Sequence, residues 1–375
     1  MRSLASLLQR FRSADLSRHS IDPAVLWSDA HAFWQEVEAR PGEVRRAMRE
    51  RYPLVAGAYV DRYFEHILNE HRLNPLALLY IESELGAPAR QQTLLAELEA
   101  AGMRFDGARC LDVGCSNGSL LLAARQKGAA RCVGVDVSEA RLASARELCH
   151  GSDVELRLLD LATGELPENT GPFDVIFCTD VLEHVESIPG ILAAMARHLA
   201  PGPESRIFVT LFNHLSAACV LSEPHYDVPG MVLLDRGSAA EIWQSVRSQR
   251  TSNLDYEVER WPDYASLQAE ALRAGLTAWP HLDTARVLGD RGRFWTGYAA
   301  RLEDLRRSAG ERLDRLQMSS AHRTLLRDAI DGYCRDALDS HRAFEAALPA
   351  ASDADVIAFY MKYYAQPMRL FLSHL

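Results

Sequence analysis

The stretch Cys110-Leu111-Asp112-Val113-Gly114-Cys115-Ser116-Asn117-Gly118-Ser119 decides the fold of this chain. It begins as a short apolar strand, turns at two glycines and continues into the Leu- and Ala-rich sequence of a helix. Gly114 and Gly118 can adopt positive φ and lack a Cβ, so a ligand can approach bare backbone there. The following helix would present unpaired N–H groups in its first turn. The stretch therefore predicts a strand, a ligand-binding turn and a helix.

A second apolar run downstream of this turn ends in an acid. Val133-Gly134-Val135 is followed directly by Asp136. In a doubly wound parallel sheet, an acid at the carboxyl end of the second strand commonly holds ribose hydroxyls. Strand, turn, helix, strand and terminal acid in this order predict a nucleoside-binding βαβ unit, which is a stronger signal than a glycine turn alone.

The residue before the turn discriminates between nucleoside ligands. Dinucleotide folds use G-x-G-x-x-G, with a helix N-terminus facing a pyrophosphate. Here the glycines are spaced G-x-x-x-G, and Asp112 precedes them. A carboxylate would repel a phosphate but suits a ligand with a positive ammonium group, such as S-adenosylmethionine (SAM). The spacing therefore disfavours an NAD-dependent oxidoreductase.

Residues 111–118 resemble motif I of the class I SAM-dependent methyltransferases, with Ser116 in place of the middle glycine of D-x-G-x-G-x-G. The resemblance continues through two further strand ends and the turn before the fifth strand, and it covers about residues 105–285. Its segments are Leu158-Leu159-Asp160-Leu161, Phe173 to Asp180 and Leu199-Ala200-Pro201-Gly202. It implies an α/β fold with a doubly wound, seven-stranded Rossmann-like methyltransferase sheet, with helical additions at both termini, and SAM as the cofactor.

The resemblance also implies a set of cofactor contacts. Asp112 would hold the ammonium group, Asp136 the ribose and Asp160 the adenine amino group, while Val137 and Leu161 would flank the adenine ring. The full predicted set is Asp112, Gly114, Cys115, Ser116, Gly118, Asp136, Val137, Asp160, Leu161 and Thr179.

Two of these acids have alternative local roles. Asp136 could cap the helix that follows it, although Ser138 can supply that cap instead. Asp160 could simply mark a turn, because apolar runs often end in Asp for that reason.

Asp180, Glu183 and His184 form a D-x-x-E-H motif after the predicted fourth strand. On a nascent helix Asp180 and His184 would share a face. His184 could act as a general base on a substrate hydroxyl or amine. Alternatively, the three side chains could bind Mg²⁺ or Mn²⁺, since some ubiquinone-pathway O-methyltransferases carry E-x-x-E-H here as a metal site. The third possibility is a polar helix start whose histidine closes the pocket floor.

Residues 223–230, Glu-Pro-His-Tyr-Asp-Val-Pro-Gly, form a second polar cluster. Two prolines and a glycine restrict the backbone, while polar side chains are dense, which is typical of a substrate-facing loop. His225 and Tyr226 are the second candidates for acid/base residues. A similar segment occurs in bacterial methyltransferases linked to surface-glycan or secondary-metabolite pathways. The alternative is a structured surface loop.

The whole chain divides into three predicted regions: a helical N-terminal lid over residues 1–104, a SAM-binding domain over 105–285 and a helical region over 286–375. The apolar faces of the last region would pack on the lid or on a second chain, as in a homodimer. Individual predictions are helices over Trp27–Arg40, Glu43–Tyr52, Ala56–Asn69, Arg90–Ala101, Pro262–Ala274, Leu313–Ala346 and Asp353–Leu375, and final strands over Leu254–Glu259 and Leu276–Leu282.

Composition limits the class of protein. The 375 residues carry a net charge of −10, which argues against a broad nucleic-acid-binding surface. No apolar run reaches the ~18 residues of a membrane-spanning helix, and the Arg-rich first twenty residues lack the apolar core of a signal peptide. The seven cysteines form no C-x-x-C pair. These features favour a reduced, cytoplasmic setting.

The sequence therefore predicts an enzyme that transfers a methyl group from SAM to a small-molecule or glycan acceptor, at oxygen, in a biosynthetic pathway. An RNA or protein methyltransferase is one alternative. The other is a non-catalytic SAM-fold partner protein, against which the intact Asp112, Gly114, Gly118 and Asp136 argue.

Overall fold

The structure, a computed structural model, describes residues 23–70, 72, 77–167, 170–249, 255–289 and 294–375. By its internal contacts the chain divides into two compact units, Met1–Phe177 and Cys178–Leu375. Among the described residues, no helix combines the length and the apolar character that crossing a membrane requires.

Within the described residues, the first unit begins with five helices, and apolar residues at helical spacing explain four of them. The predicted helices are found with shifted ends, and one further helix, α4, was not predicted. They are α1 (Pro23–Ala39), α2 (Pro41–Arg51), α3 (Gly57–Glu70), α4 (Ala77–Leu85) and α5 (Ala87–Ala100).

These helices share one apolar core with the helices that follow the first two strands. Phe33, Met48 and Phe64 are fully buried in this core, which also includes Leu122 and Leu148. At about 25 cal/mol per Å² of apolar surface removed from water, burial of such large side chains is what stabilises the region. That these helices cover the cofactor, as a lid, stays a prediction.

The first unit continues with the predicted βαβ pattern. Its elements are β1 (Arg109–Val113), α6 (Ser119–Gln126), β2 (Arg131–Asp136), α7 (Glu139–Leu148) and β3 (Val154–Leu158). β1 pairs in parallel with β2, with Leu111 opposite Val133, and β2 pairs in parallel with β3. The residues of β1 and β2 after the first are buried, as expected for parallel strands covered on both faces.

The second unit holds the other four strands, apart from the start of β4, and the helices that follow β4. The strands are β4 (Val175–Thr179), β5 (Arg206–Leu211), β6 (Leu276–Pro280) and β7 (Met368–His374). The helices are α8 (Ile188–His198), α9 (Ala217–Leu221), α10 (Arg236–Val246), α11 (Tyr264–Arg273), α12 (Thr284–Gly289), α13 (Tyr298–Arg315), α14 (Ser320–Ala347) and α15 (Asp353–Tyr363).

The seven strands form one mixed sheet in the order β3-β2-β1-β4-β5-β7-β6, so the predicted fold class is confirmed. β7 lies antiparallel between β5 and β6, with Phe208 opposite Phe371 and Ala278 opposite Leu372. The sheet therefore takes its last strand from the extreme C-terminal part of the chain.

Three predictions in this half of the chain were wrong. The predicted helix Asp353–Leu375 ends at Tyr363, because Pro367 interrupts it and the next residues pair as β7. The described part of the predicted strand Leu254–Glu259, residues 255–259, is irregular, while Leu254 lies outside the described residues. The predicted helix Leu313–Ala346 is two helices, because residues 316–319 interrupt the helix and Ser319 caps α14.

The C-terminal helices have an apolar core of their own. Trp243, Met231 and Leu313 are fully buried in it, together with aromatic residues of α13 and α14. This core includes residues that precede β6 as well as residues that follow it. The division of the chain into lid, SAM-binding domain and C-terminal region stays a functional prediction.

Candidate active site

The turn after β1 is held in a conformation that requires glycine. Gly114 and Gly118 have φ of 73° and 74°, and Ser116 between them has φ of 49°. A Cβ on Gly118 would lie 2.8 Å from the Cys149 sulfur, so any side chain there would displace the thiol. The N–H groups of Gly114 and Cys115 donate to the Val135 carbonyl at 2.8 and 3.0 Å. The turn, residues 114–118, is therefore a rigid extension of β1 and β2.

Cys115 contributes backbone to this turn and not a reactive thiol. Its side chain is 4% exposed, and an added Cβ on Gly134 would lie 2.7 Å from its sulfur. Burial, followed by the charge of Asp112, raises the pKa of the Cys115 thiol. The thiol is thus a packed apolar group against β2.

Asp112 is a buried carboxyl group with an unsatisfied oxygen. The residue is 2% exposed, and its Oδ1 has no hydrogen-bond partner among the described residues. Burial, and then the charge of Asp136, raises its pKa to about 8. A buried unpaired charge is strongly unfavourable, and a cation beside it restores the ionised form. The residues at this turn therefore fit a ligand with an ammonium group, as SAM has.

Asp136 links the turn to the end of β2. Its Oδ2 accepts from the Ser116 N–H at 2.9 Å, and its Oδ1 accepts from the Ser138 N–H at 2.8 Å. Ser138 caps α7, as predicted, since its side chain accepts from the Arg141 N–H. Each carboxylate oxygen has further acceptor capacity, so the predicted contact with ribose hydroxyls stays open as a prediction.

The residues predicted to contact adenine differ in their exposure and in their hydrogen bonds. Val137 is 72% exposed just after β2, so a ligand ring can contact it, whereas Leu161 is buried. Asp160 accepts from the Ala162 N–H and the Thr163 hydroxyl, which is the turn role named as its alternative. Thr179 is half-buried at the end of β4. The adenine role of Asp160 stays a prediction.

The D-x-x-E-H motif does not form the predicted helical face. Residues 182–184 form a turn, and α8 begins only at Ile188. Asp180 has φ of 55°, and its Oδ1 accepts from the Thr210 hydroxyl at 3.0 Å. Among the described residues, the group with metal-binding geometry is Glu183, His184 and His225, whose ligand atoms lie within 4.8 Å of one another. His225 therefore occupies the third ligand position, which was predicted for Asp180.

Glu183 is a second buried carboxyl group without partners. It is 0% exposed, and neither carboxylate oxygen has a hydrogen-bond partner among the described residues. Burial, followed by the charge of Asp180, raises its pKa to about 7. Such a group suits a cation or a proton from a neighbouring imidazole.

Glu223 orients His225, and sequence reasoning gave it no role. It is 0% exposed; its Oε1 lies 2.9 Å from His225 Nδ1, and its Oε2 accepts from the His225 and Tyr226 N–H groups. Burial lowers the pKa of His225, but the hydrogen bond and charge of Glu223, with the charges of Glu183 and Asp180, outweigh burial and raise it. The spacing of Glu223 and His225, two residues apart, was the feature of the sequence that could have identified this pair.

We call Glu183, His184, Glu223 and His225 the histidine cluster. The imidazole rings of its two histidines are 4.9 Å apart in an edge-to-face arrangement. His184 Nδ1 contacts the Glu257 carbonyl at 3.0 Å, and the Glu259 N–H donates to the Glu183 carbonyl at 2.8 Å. Residues 255–261, which we call the wall segment, therefore hold the cluster through backbone groups. A pattern of side chains in the sequence does not predict such backbone contacts.

Tyr226 has a packing role, which does not support its prediction as an acid/base residue. Its hydroxyl donates to the Asp255 carbonyl at 3.0 Å and accepts from the Glu257 N–H at 2.6 Å. Its ring lies 4.5 Å from that of Trp243 and 5.0 Å from that of Tyr256. Burial raises its pKa to about 12. The hydroxyl fixes the wall segment and does not lose its proton near neutral pH.

Residues 110–202 match the family model described as a methyltransferase domain. Two curated relatives are ubiquinone biosynthesis O-methyltransferases. That of Pseudomonas entomophila is 37% identical over 40% of this chain and 57% of its own length. That of Methylococcus capsulatus is 28% identical over 44% of this chain and 63% of its own length. The chain thus spans less than two thirds of these relatives.

Among solved structures, a SAM-dependent methyltransferase from Mesorhizobium loti is 20% identical, with a TM-score of 0.37 over 51% of this chain and 86% of its own. The glycine turn, the terminal acids and the family match point to the same class. Residues 110–202 are similar to a methyltransferase domain, and the turn within them resembles that of the class I, SAM-dependent methyltransferases.

Proposed function

We propose that the whole chain is a SAM-dependent methyltransferase that acts on a hydroxyl oxygen of a small-molecule or glycan acceptor. The observation that carries the proposal is Asp112, a buried carboxyl group with an unpaired oxygen beside a glycine turn in a methyltransferase domain. Transfer to oxygen is supported by the O-methyltransferase names of the curated relatives.

SAM, when bound, supplies a methyl group on a positively charged sulfur, so the leaving group is already activated. The residues of the chain have two tasks. Asp112 and the turn residues hold the donor, with Asp136 keeping the turn in place through the Ser116 N–H. Orientation of reacting partners contributes several kcal/mol, within the range of about 7–11 known for well-oriented intramolecular reactions.

An acceptor hydroxyl must also lose its proton, and we assign that step to His225. Its Nδ1 lies against Glu223, an arrangement that fixes the ring as the acid of a catalytic triad fixes its histidine. A general base placed in this way contributes about 10²–10⁴-fold to the rate. The other predicted base, His184, contacts the Glu257 carbonyl through Nδ1, and its ring lies beside that of His225.

A second assignment for the same residues is a divalent cation site, favoured by the two unpaired oxygens of Glu183. Glu183, His184 and His225 would hold the ion, whose mixed oxygen and nitrogen ligands suit Mn²⁺ or Zn²⁺ better than Mg²⁺. A bound ion would supply Lewis-acid chemistry to an acceptor oxygen.

The donor assignment is tested by isothermal titration with SAM and with NAD. We expect SAM to bind and NAD not to bind, and we expect Asp136→Ala to weaken SAM binding. SAM binding that is unaffected by Asp136→Ala would show the ribose assignment to be wrong. A mass-spectrometric screen of hydroxylated metabolites for the gain of one methyl group then tests the reaction itself.

The cation assignment is tested by titrating the protein with Mn²⁺, Mg²⁺ and Zn²⁺. Binding that is lost in Glu183→Gln, and kept in the nearby control Glu186→Gln, would support a metal site. Full methylation activity after chelation would leave His225 as an unassisted base.

The pathway context and the assembly are part of this proposal. We place the acceptor in secondary-metabolite or surface-glycan biosynthesis, and we propose that the chain forms a homodimer. Light scattering coupled to size-exclusion chromatography tests the second point, and a monomer would contradict it.

A further inference from the structure

The second unit contains a cavity of about 390 Å³ that no step of the proposed reaction has used. Its volume lies in the range of about 300–1,000 Å³ that is usual for small-ligand sites. Its walls are mainly apolar and aromatic. They include Leu215, Val232, Leu234, Tyr256, Val258 and Trp261.

Each charged group around this cavity already has a hydrogen-bond partner. Arg236 forms an ion pair with Glu259 at 2.8 Å, and Arg260 donates to the Glu186 carbonyl at 2.7 Å. Asp235 caps α10 through the Ser238 N–H. Two acids and two arginines line the cavity, so their formal charges cancel. An ionised ligand would lose hydration at a site whose formal charges sum to zero, so the site favours an uncharged ligand.

One polar group at the cavity lacks a partner. His214 lines the cavity, and its Nδ1 is buried with no hydrogen bond to any described residue. Burial, against the charge of Asp263, lowers the pKa of His214 to about 4, so the imidazole is neutral near pH 7. A buried unpaired polar atom costs about 1–3 kcal/mol, and a hydroxyl group can serve either a donor or an acceptor nitrogen.

The cavity and the histidine cluster share a wall. Trp261 lines the cavity, and its ring lies 5.5 Å from that of His225. Val258 and Glu259 also line the cavity, and the Glu259 N–H donates to the Glu183 carbonyl. A molecule in the cavity would therefore contact residues that also contact the histidine cluster.

We propose that this cavity binds the body of the methyl acceptor, and that the acceptor is an uncharged, compact, ring-bearing compound with a hydroxyl group. The aromatic and aliphatic walls select the ring, the zero sum of formal charges disfavours ions, and His214 takes a hydroxyl other than the one from which His225 removes the proton. A cavity of this volume does not hold an extended oligosaccharide. The inference rests on the proposed function, from which it selects the small molecule over the glycan.

The test uses the full chain and two matched probes, naphthol and naphthoate, which differ in charge but have the same ring system. Binding is measured by isothermal titration in the presence of S-adenosylhomocysteine. Leu234→Trp places a large ring on the cavity wall, and Leu272→Trp makes the same change at a position on α11 that is 60% exposed. Both variants are checked for cooperative unfolding and for an unchanged SAM affinity.

We expect the wild-type protein to bind naphthol at least about tenfold more tightly than naphthoate, a difference of about 1.4 kcal/mol. Leu234→Trp should weaken naphthol binding at least tenfold, and Leu272→Trp should not change it. Absence of naphthol binding, preference for naphthoate, or equal naphthol binding by Leu234→Trp would each overturn the cavity assignment. If the wild-type protein does not bind SAM, that result would instead contradict the proposed function. Failure of the cavity assignment and failure of the proposed function are therefore distinguishable.

Discussion

Asp112 is the residue on which the donor assignment depends most directly. We predict that Asp112→Asn weakens SAM binding at least about tenfold, since the amide cannot neutralise an ammonium group. Isothermal titration of both proteins measures this. Equal affinities would remove the ammonium contact from the site.

The same residue predicts a pH dependence of stability. The pKa of Asp112 is raised to about 8 in the fold, above its usual value of 3.8. Between these two pH values the folded protein binds the additional proton, so its stability falls as pH rises toward 8. Without ligand, Asp112→Asn should therefore gain stability relative to the wild-type protein as pH rises from about 5 to 8. Thermal unfolding at both pH values measures this, and a constant difference between the two proteins would contradict it.

Glu223 acts through His225 and is a positioning residue. We predict that Glu223→Gln lowers kcat by about 10²-fold, because the ring loses its fixed orientation. Glu223 also raises the pKa of His225, so the acid limb of the pH–rate profile should move to lower pH in the variant. A merely structural role would lower activity without moving that limb.

The control for Glu223→Gln is Glu241→Gln. Glu241 is an exposed acid whose Oε1 lies 3.5 Å from His322 Nε2, so the change removes a carboxylate beside a histidine at another place in the same unit. We expect this control to keep the kcat and the pH–rate profile of the wild-type protein.

At the scale of the element, the turn after β1 can be tested through its second glycine. Gly118→Ala forces a side chain into positive φ and places a Cβ 2.8 Å from the Cys149 sulfur. Gly151→Ala imposes a similar φ of 78° with open space around the Cβ. The backbone conformation alone costs roughly 1–2 kcal/mol, so the difference between the two variants isolates the steric clash.

We predict that Gly118→Ala lowers the free energy of unfolding by at least about 1 kcal/mol more than Gly151→Ala does, and that only Gly118→Ala weakens SAM binding. Chemical denaturation and titration measure the two effects. Equal stabilities would show that the thiol moves aside without consequence.

At the scale of the whole molecule, β7 joins the extreme C-terminal segment to the sheet. Leu372 is 0% exposed and lies opposite Ile207 of β5 and Ala278 of β6. Leu372→Ala should lower the free energy of unfolding by about 2–5 kcal/mol, the usual loss for a buried leucine. The adjacent, half-buried Ser373 provides the control, since Ser373→Ala should change it by less than about 0.5 kcal/mol. Similar losses in both variants would contradict the pairing of β7.

The helical additions stabilise each unit through their own apolar cores. Fully buried residues such as Phe64 in the first unit and Trp243 in the second belong to cores formed largely by helices outside the sheet. The helical character of these regions was predictable because apolar side chains recur at three- and four-residue spacing. Their partners were not, because periodicity identifies an apolar face without identifying what covers it.

The sequence alone determined the βαβ unit, the glycine turn and the acids at the ends of β1 and β2. These features depend on neighbouring residues, since backbone conformation and strand burial leave a local pattern. Only the tertiary structure decided that β7 enters the sheet and that His225, and not Asp180, completes the candidate metal-binding group with Glu183 and His184. Most of these contacts join segments far apart in the chain, and packing and backbone hydrogen bonds between such segments leave no spacing that a sequence pattern can reveal.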